Sequence, residues 1–338
     1  MRSALVPSHD LDPVIPAELL WTPADDALHA VGSPKPDWTE TTWWSFSVPE
    51  RDLAGWLYVQ LRPNLGLCTG GAFVYDPSGT QAYDIPYHGF TTFTPLPEPL
   101  DLRDVAFGNG VSVRCLEPGL RYELGYRFRD QEDFVADLLF EGLTPPVPLL
   151  PGEPPFTGSS HYDQTGRVTG TLRLHGETID VDCFAVRGRS WGRRPELLGR
   201  RRGDRVGYAF GTVDEREAFL AFTAPPADDP TGDVEHLTGG WLLRDGALRR
   251  LASAERRVVR DPATGFLQEL TIEGVDSAGR TMTATGRARS RFALQSGGLC
   301  VNTFLAWDLD GRAGHGEDQD VWSMARIGER LRAERARG

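Results

Sequence analysis

Lysine is almost absent from this chain. Only one of its 36 basic residues is a lysine, Lys35, and it lies in a proline-rich stretch near the N-terminal end. A P-loop needs a lysine that reaches the phosphates, and Schiff-base catalysis needs a lysine amine as the nucleophile. The sequence therefore predicts no P-loop, and a Schiff-base mechanism would depend on Lys35 alone.

An excess of positive charge is also missing. The 338 residues carry a net charge of −12, and the isoelectric point lies near 5.1. Nucleic-acid binding requires a basic face that releases counterions from the phosphate backbone. We interpret the local cluster Arg200–Arg202 as part of a solvated loop, and we expect no nucleic-acid partner.

Metal-binding and redox patterns do not occur. The four cysteines stand apart from one another, and the histidines show neither HxH nor HExxH spacing. Glycine-rich dinucleotide-binding loops are missing as well. Because each of these sites needs its ligands or glycines at fixed spacing, the sequence predicts no metal and no nicotinamide or flavin cofactor.

Long apolar runs are also missing. No segment approaches the roughly 20 apolar residues that a membrane-spanning helix needs. The first residues, MRSALVPSHDLDPVIP, contain neither the apolar core nor the processing site of a secretory signal. From these features we expect a cytoplasmic protein without an integral membrane segment.

The most informative stretch that is present is His161–Arg194. Apolar residues occupy every second position on both sides of His175-Gly176-Glu177, which is typical of two half-buried strands joined by a tight turn. The same alternation continues into Arg187, Arg189 and Trp191. A charge on the buried face of a strand is costly unless a partner compensates it. This end of the strand is therefore the first candidate for a functional site.

Alternating strands separated by Asp-Gly and Pro-rich turns fill most of the chain, and they predict an all-β protein. Gln81–Ile85 is one of the predicted strands, and Ser323–Gly338 is predicted to form a short helix. Thr144–Gly158 contains six prolines, which favours an extended connector. We therefore predict an N-terminal domain over residues 1–150 and a C-terminal domain over residues 151–338.

Several motifs resemble a known family. They are TETTWWSFSVPE and GWLYVQLRPNLG in the first half, and HYDQTGRVTGTLRL, VDCFAVRGRSWGRR and GHGEDQDVWS in the second. The chain is similar to the tandem-lipocalin group that includes hydroxyneurosporene synthase, a carotenoid hydratase. This resemblance implies two lipocalin-like antiparallel β-barrels packed together, an apolar pocket, and no metal or redox cofactor.

Carboxylates are the first candidates for catalysis. A carboxylic acid in an apolar pocket has a raised pKa and can protonate an alkene or a carbonyl. Among Asp180, Asp182, Glu317, Asp318 and Asp320, we favour Glu317 and Asp320 as a pair and Asp182 as the substitute. The alternative for each acid is a solvated loop at the rim of a barrel.

Arg189 and His161 complete the predicted catalytic set. Arg189 would bind a carboxylate or enolate, or keep a catalytic carboxylate ionised; the alternative is a structural arginine–carboxylate pair between strands. His161 and Tyr162 would act as a base and a hydrogen-bond donor at neutral pH. The alternative for this pair is a contact between domains.

Aromatic walls suit a flat or polyene ligand and can stabilise a cationic intermediate. Alternation along TETTWWSF predicts that Trp43 and Trp44 point to opposite faces of one strand. Asn64 closes a strand and would either orient a ligand or cap its turn. The predicted substrate-binding residues are Trp43, Trp44, Asn64, Tyr75, Tyr162, Trp191, Tyr208 and Trp241.

These features predict a cofactor-free acid–base enzyme that acts on an apolar terpenoid- or polyketide-like molecule. The reaction would be hydration or dehydration, isomerisation or cyclisation, which places the enzyme among the lyases or isomerases. The alternative is a non-catalytic carrier of a hydrophobic small molecule, and a third possibility is a structural protein with side-chain-filled barrels. Buried carboxylates that face a cavity would favour catalysis over carriage.

Overall fold

The structure is a computed structural model, and it describes residues 12–129, 133–194, 205–295 and 298–336. Strands make up 61% of it and helices 8%, so the predicted all-β class is confirmed. The chain divides into two compact units. The first holds the described residues of 1–75, 86–152 and 156–194, and the second holds the described residues of 76–85, 153–155 and 195–338.

The first unit is a curled antiparallel sheet of eleven strands. Its order is β4-β3-β2-β1-β11-β10-β8-β7-β6-β5, and β9 pairs with β10 beside this path. The strands are β1 Trp38–Val48, β2 Leu53–Arg62, β3 Leu67–Tyr75, β4 Tyr87–Pro95, β5 Asp104–Ala106, β6 Val111–Glu117, β7 Arg121–Arg127, β8 Phe134–Gly142, β9 Val147–Pro148, β10 Ser159–Leu174 and β11 Glu177–Arg193. Short 3-10 helices span Ala17–Leu19, Pro23–Asp26, Pro49–Arg51 and Pro63–Leu65.

The hairpin of β10 and β11 forms as the alternation predicts. Leu174 pairs with Glu177, so the turn is His175-Gly176 alone. Both residues have positive φ, at 48° and 83°, which is the conformation that a two-residue hairpin turn needs. From this turn the ladder between β10 and β11 continues without interruption to the pair of Ser159 and Gly192.

The core of the first unit lies on one face of this sheet, which we call the inner face. It is formed by Trp44 and Phe46 of β1, Val168 of β10, Val181 of β11, and apolar residues of the other strands. Trp43 points the other way and contacts Trp56 edge-to-face at 5.1 Å. The predicted opposition of the two tryptophans is therefore confirmed.

The second unit is a closed barrel of eight antiparallel strands, in sequence order. Its strands are β12 Arg205–Asp214, β13 Glu217–Ala224, β14 Val234–Arg244, β15 Ala247–Arg260, β16 Leu267–Asp276, β17 Thr281–Gln295, β18 Leu299–Leu309 and β19 Arg312–Trp322. The predicted turns at Asp245-Gly246 and Asp310-Gly311 both form with positive φ. An apolar cluster fills part of its interior, with Leu242, Ile272 and Trp307 among its members.

The C-terminal helix is also present. Helix α1 spans Met324–Arg335, and the Ser323 hydroxyl caps it by accepting a hydrogen bond from the Arg326 N–H at 3.3 Å. Within the described residues, no helix is long and apolar enough to cross a bilayer.

Two sequence expectations differ from the observed chain path. The predicted division fell at residue 150, but β10 pairs with β8 and β11 pairs with β1, so residues 156–194 belong to the first unit. The predicted strand Gln81–Ile85 is a turn. The Asp84 carboxylate accepts hydrogen bonds from the N–H groups of Thr80 and Gln81, which replaces strand pairing with local bonds.

Candidate functional site

The inner face of the first sheet changes from apolar to charged toward one end. Along β11, Val181 and Cys183 belong to the core, and Arg187 and Arg189 follow on the same face. The two arginines are only 1% and 3% exposed. The predicted continuation of the buried face into guanidinium groups is therefore confirmed, and each group needs partners.

Arg187 lies among aromatic rings and two polar partners. Its guanidinium carbon is 4.3 Å from the centre of the Tyr122 ring and 5.2 Å from that of Trp44. Its Nε donates to Gln164 Oε1 at 2.5 Å, and its Nη1 lies 3.5 Å from Asp26 Oδ1. Burial lowers the pKa of Arg187, but the nearby Tyr122, Tyr162 and Asp26 raise it by a larger amount. The pKa therefore lies above its ordinary value, and this side chain remains cationic.

Arg189 has a carboxylate and two backbone carbonyls as partners. It donates to the side chain of Glu40, which is fully buried, and to the carbonyl oxygens of Asp25 at 2.5 Å and Ala27 at 3.2 Å. The His29 imidazole also contacts Glu40, with 2.9 Å between Nδ1 and Oε1. These contacts form the structural arginine–carboxylate pair that the sequence analysis kept as the alternative for Arg189.

The partners outside the sheet belong to one short segment, residues 18–29, which we call the strap. Its Asp26 carboxylate accepts hydrogen bonds from the Tyr122 hydroxyl at 2.6 Å and from the Gly119 N–H at 2.8 Å. Its His29 ring stacks on Trp191 at 3.8 Å, with only 7° between the planes. The strap therefore covers the charged end of the inner face.

A cavity of about 780 Å³ is lined by the strap and by the adjoining ends of the sheet. Its walls combine aromatic rings, small polar residues and two acids of the strap. The lining residues include Trp21, Trp38, Trp191, Tyr162, His161, Glu18, Asp25, Ser159, Ser160 and Leu149. A cavity of this size and composition suits one small molecule with an apolar body.

His161 is among the residues that line this cavity, and its side chain points to the face of β10 opposite Tyr162, where it lies near Gly188 and Trp43. Its Nε2 lies 2.8 Å from Asp163 Oδ2, and both side chains are buried. The imidazole also stacks on Phe156 at 3.9 Å, with 7° between the planes. A carboxylate and a stacked ring therefore fix the tautomer and the direction of this histidine.

Tyr162 follows His161 and lies on the inner face, paired with Arg189 across the ladder. Its ring lines the cavity and lies 5.3 Å from the Arg187 guanidinium carbon. Its hydroxyl is buried and has no hydrogen-bond partner among the described residues. Burial raises the pKa of this phenol, so Tyr162 stays protonated and can donate.

Most of this chain matches a known domain family. The profile of DUF7064, a domain of unknown function, matches residues 22–318. The chain belongs to the DUF7064 family. No curated protein matches the sequence.

Solved structures resemble this DUF7064 member in fold. An AttH-type protein from Nitrosomonas europaea superposes with a TM-score of 0.51 at 16% identity, over 91% of this chain and 98% of its own. Kievitone hydratase from Nectria haematococca gives a TM-score of 0.50 at 12% identity, over 88% and 93% of the two chains. CghA in complex with Sch210972 gives 0.55 at 11% identity, over 85% and 89%. The predicted tandem lipocalin-like architecture is thereby confirmed.

The acids of β19 lie on opposite faces of their strand. Asp318 and Asp320 point into the barrel, where they meet arginines of β12 and β15. These strands are not all neighbours of β19, so the contacts cross the interior. Glu317 has the opposite parity and is also buried. The structure therefore does not bring the favoured pair, Glu317 and Asp320, to one site.

Six charged side chains form a buried ion cluster inside this barrel. Arg256 donates to Glu235 at 2.6 Å and to both oxygens of Asp318 at 2.8 and 2.9 Å. Burial raises the pKa of Asp318 to about 7, whereas Asp320 is held below its ordinary pKa because arginine charges outweigh its burial. The members are Arg205, Glu235, Arg256, Arg260, Asp318 and Asp320.

Two other predicted residues lie at the surface. Asp182 is exposed and accepts two hydrogen bonds from Arg167, at 2.6 and 2.7 Å, which hold its pKa below the ordinary value. Asn64 donates to the carbonyls of Ser33 and Lys35, each at 2.7 Å. It thus ties one segment to another, close to the capping role that was its alternative.

The predicted aromatic residues fall on three surfaces. Trp191 and Tyr162 line the cavity, and Trp44 lies beside Arg187 on the inner face. Tyr75, like Trp43, lies on the opposite face of the first sheet. Tyr208 and Trp241 alternate with the barrel-core residues Ala209 and Leu242, so they point outward from the second barrel, and both are buried.

The sequence interpretation missed Glu40 and Asp26. Glu40 has the parity of Trp44 and Phe46 in TETTWWSF, so the rule that singled out Arg187 also applies to it. Asp26 carried no such signal, because it lies in a single 3-10 turn without periodicity. Within the described parts of the chain, no group of three histidine, cysteine or acidic side chains is placed to hold a metal ion.

Proposed function

We propose that this protein is an enzyme that transfers protons to and from an apolar small molecule held in the cavity of the first unit. The reaction is the addition or loss of water, an isomerisation or a cyclisation. The observation that carries this proposal is the buried pair of His161 and Asp163, which lies beside a cavity with aromatic walls.

His161 has the properties of a general base or acid. An imidazole can both accept and release a proton during one turnover. The Nε2 atom of His161 contacts the Asp163 carboxylate at 2.8 Å. The buried carboxylate stabilises the imidazolium that forms, as in catalytic triads.

The walls suit an apolar and partly unsaturated substrate. Trp21, Trp38 and Trp191 present indole rings to the cavity. Such rings bury hydrocarbon, and their faces stabilise positive charge that develops when an alkene is protonated. Exclusion of bulk water around the ligand protects a reactive intermediate. A terpenoid- or polyketide-like skeleton meets these requirements.

Two structural relatives support this class of reaction by analogy. One bears the name of a hydratase, and another was solved with the small molecule Sch210972. Fold likeness alone does not transfer a reaction, so the support rests on the cavity and its histidine. We assign proton transfer to His161 and not to Asp320, because ion pairs with Arg205 and Arg260 keep that carboxyl ionised.

Isotope labelling tests the proposal without a known substrate. A panel of terpenoid and polyketide alkenes, enones and tertiary alcohols is incubated with the protein in ²H₂O or H₂¹⁸O, and mass spectrometry detects incorporated label. We expect the wild-type protein to label at least one compound. Replacement of the base, His161→Gln, should slow labelling on the order of 100-fold or more.

The matched control is His175→Gln. His175 is exposed in the β10–β11 turn, and its Nε2 contacts a backbone carbonyl at 2.8 Å. This variant should label at the wild-type rate. If wild-type protein binds compounds of the panel tightly and labels none, the result favours the alternative, carriage of a hydrophobic molecule. Equal rates in both variants would refute the role of His161.

A further inference from the structure

The charged end of the inner face has more buried donors than acceptors. Arg187 Nη2, Arg189 Nε and the Tyr162 hydroxyl are buried, and none has a hydrogen-bond partner among the described residues. Each of these side chains is at least nine-tenths buried. An unsatisfied buried donor is costly, so a cluster of three points to an acceptor that arrives with a ligand.

The acceptors now present come largely from the strap. Asp26 supplies a carboxylate that contacts Tyr122 closely but lies 3.5 Å from Arg187. The carbonyls of Asp25 and Ala27 occupy Arg189. The strap therefore behaves as an internal ligand whose oxygen atoms satisfy only part of the site.

The strap is held by these polar contacts and by a few ring and side-chain contacts, among them Trp21 on Gly119. Among residues 18–29, all of which the structure describes, only Asp26 is buried. Leu28 contacts the apolar core, and His29 contacts Glu40 and Trp191. A segment with so little buried apolar surface opens at low cost compared with the sheet beneath it.

The other side of the strap faces the cavity. Glu18, Trp21 and Asp25 line that cavity together with Tyr162 and Trp191 of the sheet. The strap is thus the wall between a cavity that suits an apolar body and an arginine pair that suits an anion. A displacement of the strap would join the two spaces.

We propose that Arg187, Arg189 and Tyr162 form a binding site for the carboxylate or enolate oxygen of an apolar ligand, and that this group displaces the Asp26 carboxylate and the strap. Arginine forks pair with carboxylates in bidentate geometry, and a protonated phenol adds a third donor. The inference rests on the proposed small-molecule cavity and adds the anionic class of its substrate.

Two probes of the same shape test the charge requirement. Binding of 2-naphthoate and of neutral 2-naphthamide is measured by calorimetry on the full chain at neutral pH. We expect the wild-type protein to bind 2-naphthoate at least 10-fold more tightly. Asp26→Asn keeps the shape of the strap but removes the competing charge. It should bind 2-naphthoate about another 10-fold more tightly and change the affinity for the amide less than 2-fold.

A control variant and a hydrogen-exchange measurement distinguish binding at this site from a general effect of protein charge. Arg167→Met removes an exposed arginine of β10 and should leave both affinities unchanged. Hydrogen exchange should increase in residues 20–29 when 2-naphthoate binds and not when the amide binds. Equal affinity for both probes in wild-type protein and in Asp26→Asn would overturn the proposal, as would 2-naphthoate binding without faster strap exchange.

The outcome is distinguishable from that of the proposed function. If isotope labelling depends on His161 but the charge preference is missing, only the anionic substrate class fails. If 2-naphthoate binds as expected but no compound is labelled, the anion site stands and the enzymatic role fails. Failure of both probes to bind, in the wild-type protein and in the variant, overturns the anion site directly.

Discussion

Substitution of Arg256 tests how much the buried ion cluster contributes to the stability of the second barrel. Its side chain is completely buried in the second barrel, and it donates three hydrogen bonds to Glu235 and Asp318. Arg256→Met keeps most of the aliphatic volume but removes the charge. We expect this variant to be strongly destabilised, because two carboxylates then lose a buried cationic partner.

The magnitude follows from what each carboxylate retains. Glu235 keeps Arg205 at 2.6 Å and the Thr223 hydroxyl at 2.6 Å, whereas Asp318 loses both arginine hydrogen bonds. Removal of one member of a buried ion pair costs about 3–5 kcal/mol. For a barrel of this size, that corresponds to a decrease of roughly 6–20 °C in its unfolding temperature.

The loss should depend on pH in a definite direction. Burial raises the folded-state pKa of Asp318 from 3.8 to about 7, and removal of Arg256 raises it further. The same carboxyl ionises at a lower pH in the unfolded chain than in the folded protein. The free energy of unfolding therefore decreases as pH rises from the unfolded-state pKa to the folded-state pKa. The deficit of Arg256→Met should therefore be smaller at pH 5.5 than at pH 8.5, by about 1 kcal/mol or more.

Thermal and urea unfolding followed by circular dichroism measure both effects. The control is Arg257→Met, the next residue of β15, whose exposed side chain pairs with Glu255 and Glu273. A surface pair of this kind contributes about 0–1 kcal/mol. If Arg256→Met unfolds within about 1 kcal/mol of this control, or is most stable at high pH, the reasoning about the ion cluster is refuted.

Three further outcomes are expected. Gly207→Ala should destabilise the second barrel by about 1–3 kcal/mol in urea unfolding, because its new Cβ would lie 2.6 Å from a carboxylate oxygen of the ion cluster. Cys68 and Cys183 should react with a disulfide reagent at pH 8 only after unfolding, since burial raises the pKa of each thiol to about 11. Tyr122→Phe should lower the free energy of unfolding by about 1.5–3 kcal/mol, because it loses a hydrogen bond to a carboxylate. Tyr162→Phe should not lower it, and calorimetric unfolding measures both variants.

Local patterns predicted the elements of this structure well. The alternation in β11 gave the inner face and placed Arg187 and Arg189 on it, and the Asp-Gly and His-Gly pairs gave the turns. These features depend on neighbours in sequence, so one sequence contains them. The helix after Ser323 was predicted for the same reason.

Long-range pairing could not be predicted in this way. The proline-rich segment Thr144–Gly158 resembled a boundary, but β1 takes β11 as its partner across more than a hundred residues. The partners of Arg189 come from the strap, and those of Asp318 come from the far side of a barrel. Such contacts depend on topology, which the spacing of residues within one segment does not determine.

The pairing of β1 with β11 has a consequence for synthesis on the ribosome. Strand β1 ends at Val48, and its partner ends at Arg193. Translation adds roughly 5–20 residues per second, so on the order of 10–30 s pass between the synthesis of β1 and the completion of β11. During that time the inward tryptophan of TETTWWSF and its apolar neighbours lack their cover. We expect a nascent chain stopped at residue 150 to be a substrate for chaperones, and one stopped shortly after Arg193 to fold.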